Sequence, residues 1–228
     1  MDLALLLLAD GRFPAGGHAH SAGVEAAIAD GRVTDLADLD DFVRGRLATV
    51  GLVEASLAAA TVTALRRGDA SASSAVIALD AEADARIPAP PLRDASRRLG
   101  RQLVRVATRC WPDPLFALLT DLLPTGAHQP VALGVTSVAA GGSAEDVARL
   151  AVHHAVTSPA VAAVRLLGLD PFAVAALTAG CAATGEWVVA EAVAAAAGAI
   201  SELPASSGPL LDIAALEHRA RPIRMFAT

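Results

Sequence analysis

The stretch Ser143–Gly168, SAEDVARLAVHHAVTSPAVAAVRLLG, decides the fold class because it carries the signals of a long α-helix. Ser143 and Asp146 form the pattern of a capping box, in which two side chains satisfy free N–H groups of the first helical turn. The helical pattern continues to about Gly168, and glycine commonly ends a helix. Since proline lacks an N–H group, we predict that Pro159 kinks or divides this helix.

Similar start and stop signals recur on both sides and predict an all-α protein. No segment shows the alternation of apolar and polar residues that is typical of strands. Thr34 is predicted to cap one helix, and Asp170 followed by Pro171 to begin another. We expect one domain over residues 1–228, a bundle of about ten short helices, with 222–228 as a tail open to disorder. The predicted helices are Ser21–Ala29, a stripe from Leu36 to Val50, Leu52–Arg67, Ala70–Arg86, Leu92–Cys110, Pro114 to the residue before Pro124, Val131–Ala140, Ser143–Gly168, Asp170–Gly185, Glu186–Ser201 and Leu210–Arg221.

The composition excludes several classes of function. All 18 basic residues are arginine, so the lysine that P-loop nucleotide-binding proteins and Schiff-base enzymes need is absent. The net charge of −6 and the aromatic content of 3% argue against nucleic-acid binding. Cys110 and Cys181 lie far apart among apolar residues and are expected to be buried free thiols. Because no spacing of side chains defines a catalytic site, we expect no enzyme activity and no cofactor.

The mean hydropathy of +0.49 raises the question of a membrane span, which needs about 20 continuous apolar residues. The apolar start Leu3–Ala9 is short and follows no basic region, so it does not resemble a signal peptide. We expect a cytoplasmic protein without a membrane span, whose apolar excess belongs to a buried helix or a subunit interface. The candidate spans are interrupted by Pro159, Arg165, Asp170, Gly180, Gly185 and Glu191.

The stretch Gly11–Glu25, GRFPAGGHAHSAGVE, is the most distinctive candidate for a functional segment. Its paired glycines allow backbone conformations that other residues avoid, and Ser21 is predicted to cap the following helix. Without a lysine it is a poor phosphate-binding loop. His18 and His20 can reach one metal ion from alternate positions, but metal sites usually need three or four ligands. A shaped structural loop is therefore the favoured interpretation.

This segment resembles the signature of the UreF family of urease accessory proteins, Pro-x-Gly-Gly-Phe-x-(Tyr/His)-Ser-x-Gly-(Leu/Val)-Glu. The signature follows a short leucine-rich helix in that family, as it does here. His18 stands where the family usually has phenylalanine. The matching residues are Pro14, Gly16, Gly17, His20, Ser21, Gly23, Val24 and Glu25.

Other stretches extend the resemblance along the chain. Arg93–Leu103 is similar to the family's Arg-x-x-Ser-x-x-x-Gly-x-x-Leu segment, and His128–Gly134 to its His-x-Pro-Val-x-x-Gly segment. The C-terminal part from Glu217 to Phe226 resembles the family's last helix, which contains a histidine and is followed by Leu-Phe-Arg-Ser. Two departures are Asp170, near where the family has Leu-Gly-Gln, and Ala227, where the tail usually has arginine.

The resemblance implies a homodimeric adaptor that acts with UreD (also called UreH) and the GTPase UreG to insert nickel into the urease apoprotein. It also implies a possible effect on GTP hydrolysis by UreG. The C-terminal tail is expected to meet UreD, and the loop is expected to meet UreG or to line a route for the metal. The alternative is a nickel-binding protein that uses His18, His20 and His218. The residues expected to bind partners are Gly16, Gly17, His20, Ser21, Glu25, His218, Arg221, Arg224, Met225 and Phe226.

Two further features of the sequence allow more than one interpretation. An arginine series, Arg93, Arg97, Arg101, Arg105 and Arg109 with Arg98 beside it, repeats every four residues and so follows one side of a helix. It is either a solvated face that pairs with acids of this chain or a basic strip for an acidic partner. His153 and His154 are adjacent in a predicted helix, where they point about 100° apart, so we expect one to face the core and no shared metal.

Overall fold

The predicted all-α architecture is confirmed by a computed structural model, which describes residues 3–68, 71–220 and 225–226 and places none of them in a strand. Short 3₁₀ turns lie at Gly17–Ala19 and Ile200–Glu202. The helices are α1 Leu3–Ala9, α2 Val24–Ala29, α3 Leu36–Arg46, α4 Leu52–Arg67, α5 Ala72–Ala85, α6 Pro90–Cys110, α7 Pro114–Leu122, α8 Gln129–Ala139, α9 Ala144–Leu167, α10 Pro171–Gly180, α11 Ala182–Ala196 and α12 Pro209–Ala220.

Helix α4 lies at the centre of the bundle. Eleven of its sixteen residues are buried, which is too many for one apolar face and requires neighbours on several sides. Helices α8, α9 and α11 supply these neighbours, and α5 packs beside them. A π-helical turn at Leu47–Gly51 joins α3 to α4, so Leu36–Arg67 is one helix of 32 residues and not the two predicted segments. The extra residue that a π turn admits keeps the helix continuous.

The close approach of α8 to α4 depends on Gly134. A Cβ atom at this position would lie 2.5 Å from the Cβ of Thr61 and 2.8 Å from the carbonyl oxygen of Ala58. A side chain as small as alanine would therefore push the two helices apart. The α4 residues on this side are small as well, and the buried hydroxyl of Thr61 donates to the carbonyl of Leu57 in its own helix.

Helix ends follow the predicted chemistry at some positions and depart from it at others. The capping box of α9 is present: the Ser143 side chain accepts from the Asp146 N–H at 3.1 Å, and Asp146 accepts from the Ser143 N–H at 3.1 Å. The cap of α3 is Asp35 and not Thr34, because the Asp35 carboxylate accepts from the second and third N–H groups of the helix. Thr34 instead donates its hydroxyl to Asp38 at 2.7 Å.

One helix end predicted in the C-terminal half is wrong, and Pro159 does not divide its helix. Helix α9 continues through Pro159 from Ala144 to Leu167, so of the two predicted effects of this proline, a kink or a division, the division is wrong. The break between α10 and α11 lies at Cys181 and not at Gly185. Gly185 is buried within α11, where a Cβ atom would lie 3.0 Å from Val152, so this glycine permits close helix packing and does not end a helix.

The apolar residues that raise the mean hydropathy are largely buried inside the fold. By length and composition, Leu36–Arg67 and Ala144–Leu167 would each suffice to cross a membrane, and the bent pair α10 and α11 would suffice together. The interruptions named from the sequence therefore do not exclude a membrane span by length and composition. However, 72% of the most apolar stretch of Leu36–Arg67 is buried in the bundle, as expected for the central helix of a globular core.

The two cysteines have different environments. Cys181 is buried as predicted, and burial raises the pKa of its thiol. Cys110 is exposed, which corrects the prediction, because it ends α6 on the side that faces away from the core.

Replacing Gly134 by alanine should destabilise the protein by about 1–3 kcal/mol, since the added methyl group overpacks the contact between α4 and α8. Gly45→Ala is the matched control: it lies in α3, and a Cβ atom there meets no neighbour within 4 Å. That change should stabilise by up to about 1 kcal/mol through helix propensity. Urea unfolding followed by circular dichroism measures both, and equal effects at the two sites would contradict the packing argument.

Candidate partner-binding site

The signature loop is held against helix α6 through a glycine. Gly16 has φ +88°, a left-handed conformation that glycine adopts at no steric cost. A Cβ atom there would also lie 2.7 Å from the side-chain oxygen of Gln102. The amide of Gln102 donates to the carbonyl of Pro14 at 3.2 Å, and the rings of Phe13 and Trp111 pack with their centres 5.9 Å apart. The loop therefore runs along the outer side of α6.

The end of the loop does not follow the predicted capping pattern. Helix α2 begins at Val24 and not at Ser21, and its N-cap is Gly23 with φ +89°. Ser21 is fully buried, and its hydroxyl oxygen accepts from the N–H of Glu25 at 3.4 Å. Ser21 therefore shapes the entry to α2 from inside the fold, where a partner protein cannot reach it.

Glu25, at the start of α2, connects this N-terminal helix with the C-terminal part of the chain. Its carboxylate accepts from Nε2–H of His218 at 2.8 Å, from the N–H of Met225 at 2.6 Å and from the N–H of Phe226 at 3.1 Å. Burial alone would raise the pKa of Glu25, but these N–H donors outweigh it, and the pKa of the carboxyl lies below its ordinary value. We call this arrangement of Glu25, His218, Met225 and Phe226 the tail clasp.

The predicted C-terminal site residues differ in how far the tail clasp buries them. Phe226 is buried against the core and His218 is also buried, whereas Met225 remains 64% exposed. Phe226, which the sequence analysis placed in a tail open to disorder, is therefore part of the core. Arg221 and Arg224 lie outside the described residues, so their predicted role stays a prediction. No spacing rule could have found the clasp, because it joins residues about 200 positions apart.

An exposed apolar row follows the outer side of α12. Leu210, Ile213 and Leu216 are spaced by three residues and are each more than half exposed. Spacing of this kind places side chains along one face of a helix. The opposite side of α12 packs on α2 and α6. We call these three side chains the α12 face.

A cavity of about 790 Å³ lies between the loop, α1, α9 and α12. Gly17, His20 and Gly23 from the loop line it, as do His218 and Phe226 from the tail clasp. Gly17 is exposed and His20 is half-buried, so a ligand or partner can reach both residues. The side chain of His18 lies outside the described part of the chain.

The adjacent histidines of α9 close another wall of this cavity. Nε2 of His153 bonds to the carbonyl of Ala9 at 3.1 Å, and Nε2 of His154 bonds to that of Leu8 at 3.0 Å. Because carbonyl oxygens only accept, both rings donate, and they cap free carbonyls at the end of α1. Burial and the neighbouring His153 lower the pKa of His154 to about 4, so the ring is neutral. In the described parts of the chain no three His, Cys, Asp or Glu side chains group closely enough to hold a metal ion.

The arginine series divides into two parts. Arg97 is half-buried and pairs with Asp80 at 3.0 Å and Asp84 at 3.1 Å. The same two acids accept from His128, whose backbone N–H meets Asp80 at 2.7 Å and whose ring meets Asp84 at 3.0 Å. Arg93 donates to the carbonyl of Ile87 at 2.7 Å. The prediction of internal pairing is thus confirmed for the start of the series, and the remaining arginines are exposed.

Comparison with known proteins agrees with the motifs. A family model described as UreF matches residues 33–182. A protein of Mycolicibacterium vanbaalenii named urease accessory protein UreF is 44% identical over 224 residues, 98% of this chain and 97% of that protein. Proteins of the same name from Mycobacterium marinum and Mycobacterium tuberculosis are 43% and 41% identical, over 98% and 96% of this chain and 97% and 96% of theirs.

Replacing Glu25 by glutamine should release the tail clasp, because an amide carries no charge to attract three donors and directs its own NH₂ group toward them. We expect a loss of about 2–3 kcal/mol of stability at pH 7. Trypsin should then cleave faster after Arg219, Arg221 and Arg224, which peptide mapping detects. Glu217→Gln, at an exposed position on α12, is the control. Equal cleavage of both variants would contradict the clasp.

The clasp should also give stability a defined pH dependence. Because the pKa of Glu25 is lowered in the folded state, its contribution is complete above the ordinary value of 4.5 and is lost as the pH falls through the lowered value. The difference in unfolding free energy between wild type and Glu25→Gln should thus stay constant from about pH 7 to 5 and shrink below about pH 4. A constant difference down to about pH 3 would be the contrary result.

Proposed function

The chain belongs to the UreF family of urease accessory proteins, and from that membership we propose that it is the adaptor of a nickel-insertion complex. In this proposal it acts in the cytoplasm as a homodimer. It binds UreD (UreH) and the GTPase UreG, and the assembled complex delivers nickel to the urease apoprotein. It makes no nucleotide site of its own, in keeping with a chain that has no lysine for a P-loop.

The observation that carries the proposal is the tail clasp. It brings together the two family motifs that lie at opposite ends of the chain, the loop ending at Glu25 and the segment from His218 to Phe226. Neither motif forms a catalytic arrangement. Both motifs instead fix the position of groups on the surface. An adaptor benefits from this order, because an interface that is ordered before binding loses less conformational entropy when the partner binds.

We propose that UreD binds the α12 face. Leu210, Ile213 and Leu216 form an exposed apolar group, and such groups often mark protein interfaces. Met225 is exposed as well, and its backbone N–H binds the same Glu25 carboxylate as His218 of α12. Deletion of residues 222–228 would remove Phe226 from the core as well, and substitutions on the exposed face therefore give a cleaner test.

We propose that UreG meets the accessible part of the signature loop, around Gly17 and His20, and that contact there modulates GTP hydrolysis. Gly16, Ser21 and Glu25 would act indirectly, because they shape the loop from within. The cavity beside the loop supports the other expectation, a route for the metal, since His20 and His218 line it. The alternative of a nickel-binding protein has only these cavity histidines in its favour.

Co-purification tests the adaptor proposal directly. The full chain, expressed with UreD and UreG, should elute with both in one complex on size-exclusion chromatography, and the complex should activate the urease apoprotein when nickel and GTP are supplied. Calorimetric titration of the chain alone with nickel tests the alternative. A chain that binds nickel tightly but neither protein would overturn the adaptor proposal.

Replacing Ile213 by glutamate should weaken UreD binding at least about tenfold, because a charge would be buried in an apolar interface. Ile77→Glu is a matched control: Ile77 is 46% exposed and Ile213 52%, both lie on helices, and the chemical change is identical. Binding is measured by surface plasmon resonance with immobilised UreD, and helicity by circular dichroism. Equal affinities of the two variants would remove the α12 face from the proposal.

A further inference from the structure

Four exposed arginines follow the outer side of α6. Arg98, Arg101, Arg105 and Arg109 lie three, four and four residues apart, which places them within about 80° of one another around the helix and over about 17 Å of its length. We call these four residues the arginine strip. They differ from Arg93 and Arg97, which are half-buried and bonded within the fold.

The arginine strip has no anionic partner within the described residues. Arg98, Arg105 and Arg109 make no hydrogen bond or ion pair there, and Arg101 makes only a bond of 2.7 Å to the carbonyl of Thr125. Asp80 and Asp84, the acids nearest the inner side of α6, are occupied by Arg97 and His128. The folding of the chain therefore neutralises the start of the arginine series and leaves the rest of it positive.

This concentration of positive charge stands out against the rest of the chain. The sequence holds 24 acidic and 18 basic residues, yet Pro90–Cys110 contains six arginines and a single acid, Asp94. Like charges spaced by one helical turn repel each other and destabilise the helix. An external negative surface would relieve this repulsion on binding.

The arginine strip borders the signature loop. Gln102, whose amide holds Pro14, lies between Arg98 and Arg105 on the exposed side of α6, and the stacked pair of Phe13 and Trp111 lies at the far end of the helix. A protein that covers the accessible part of the loop would also reach the strip. The two surfaces are therefore continuous.

We propose that the arginine strip is the docking surface for an acidic face of the protein that covers the signature loop, which is UreG in the proposed adaptor function on which this step rests. Arginine suits this role because its planar guanidinium group bonds carboxylates in a bidentate way. The strip steers the partner by long-range attraction and fixes its orientation along the loop. Nucleic acid is the less suitable occupant, because the chain is acidic overall and only 3% aromatic.

The test is the double variant Arg105→Glu/Arg109→Glu, since neither side chain has a bonding partner in the described structure whose loss would unfold the protein. Arg67→Glu/Arg165→Glu is the control, because it changes the net charge equally at exposed arginines elsewhere. Arg105→Gln/Arg109→Gln removes the charge without reversing it. Circular dichroism and thermal melting verify that all three variants fold.

Affinities for UreD, UreG and the urease apoprotein are measured separately, at about 0.05 M and about 0.3 M NaCl, where the screening of charges differs strongly. For UreG the glutamate variant should bind about tenfold more weakly than wild type or worse, the glutamine variant should be intermediate, and both should show a weaker salt dependence than wild type. Affinities for UreD and the urease apoprotein should stay unchanged, and a loss confined to either of them would overturn the inference. The control variant should bind all three like wild type.

Other outcomes overturn the inference. If wild type binds its partners and the glutamate variant binds all of them equally well, the arginine strip is not a docking surface, while the adaptor function stands. If wild type binds none of the three, the adaptor function itself fails and the inference fails with it. If wild type binds a short single-stranded RNA, the glutamate variant does not, and protein affinities are unchanged, the strip binds nucleic acid.

Discussion

The close packing of helices around α4 is the constraint on which the other features depend. A helix that is buried on most sides can have neighbours only where small residues leave space, and Gly134 of α8 supplies that space against Thr61. The position of α8 in turn determines the position of α6. Gly100 of α6 lies so close to the segment that leads into α8 that a Cβ atom there would be 2.1 Å from the carbonyl oxygen of Ala127. The signature loop then packs on α6 through Gln102. Each of these contacts therefore determines where the next element lies.

Three carboxylates, two of them largely buried and one half-buried, add directional bonds to the apolar core. Glu25 holds the C-terminal segment, and Asp80 with Asp84 holds the start of α8 and the middle of α6. Each of these acids meets several N–H donors or a guanidinium group, which is the condition under which a buried charge is tolerated. Such bonds have direction, so they fix how elements are oriented where apolar contacts alone would permit sliding.

The surfaces that remain open differ in physical character. The α12 face is apolar, while the arginine strip is strongly basic, and the signature loop lies between the helices that carry them. An apolar patch and a charged strip select different partners. Binding to the apolar patch is favoured by the exclusion of water, whereas binding to the charged strip is favoured by complementary charge. This division is consistent with membership of a family of urease accessory proteins.

The sequence by itself determined the helical class, most helix ends and the family. Caps, glycines and prolines act on backbone groups a few residues away, so the capping box at Ser143 and the start of α10 at Pro171 were predictable from local pattern. Only the tertiary structure decided which charges are neutralised, that Phe226 is buried by the clasp at Glu25, and that Gly185 packs within a helix and does not end one. These outcomes depend on which distant elements meet, and the meeting is set by the shape of the whole core, which no short spacing in the chain encodes.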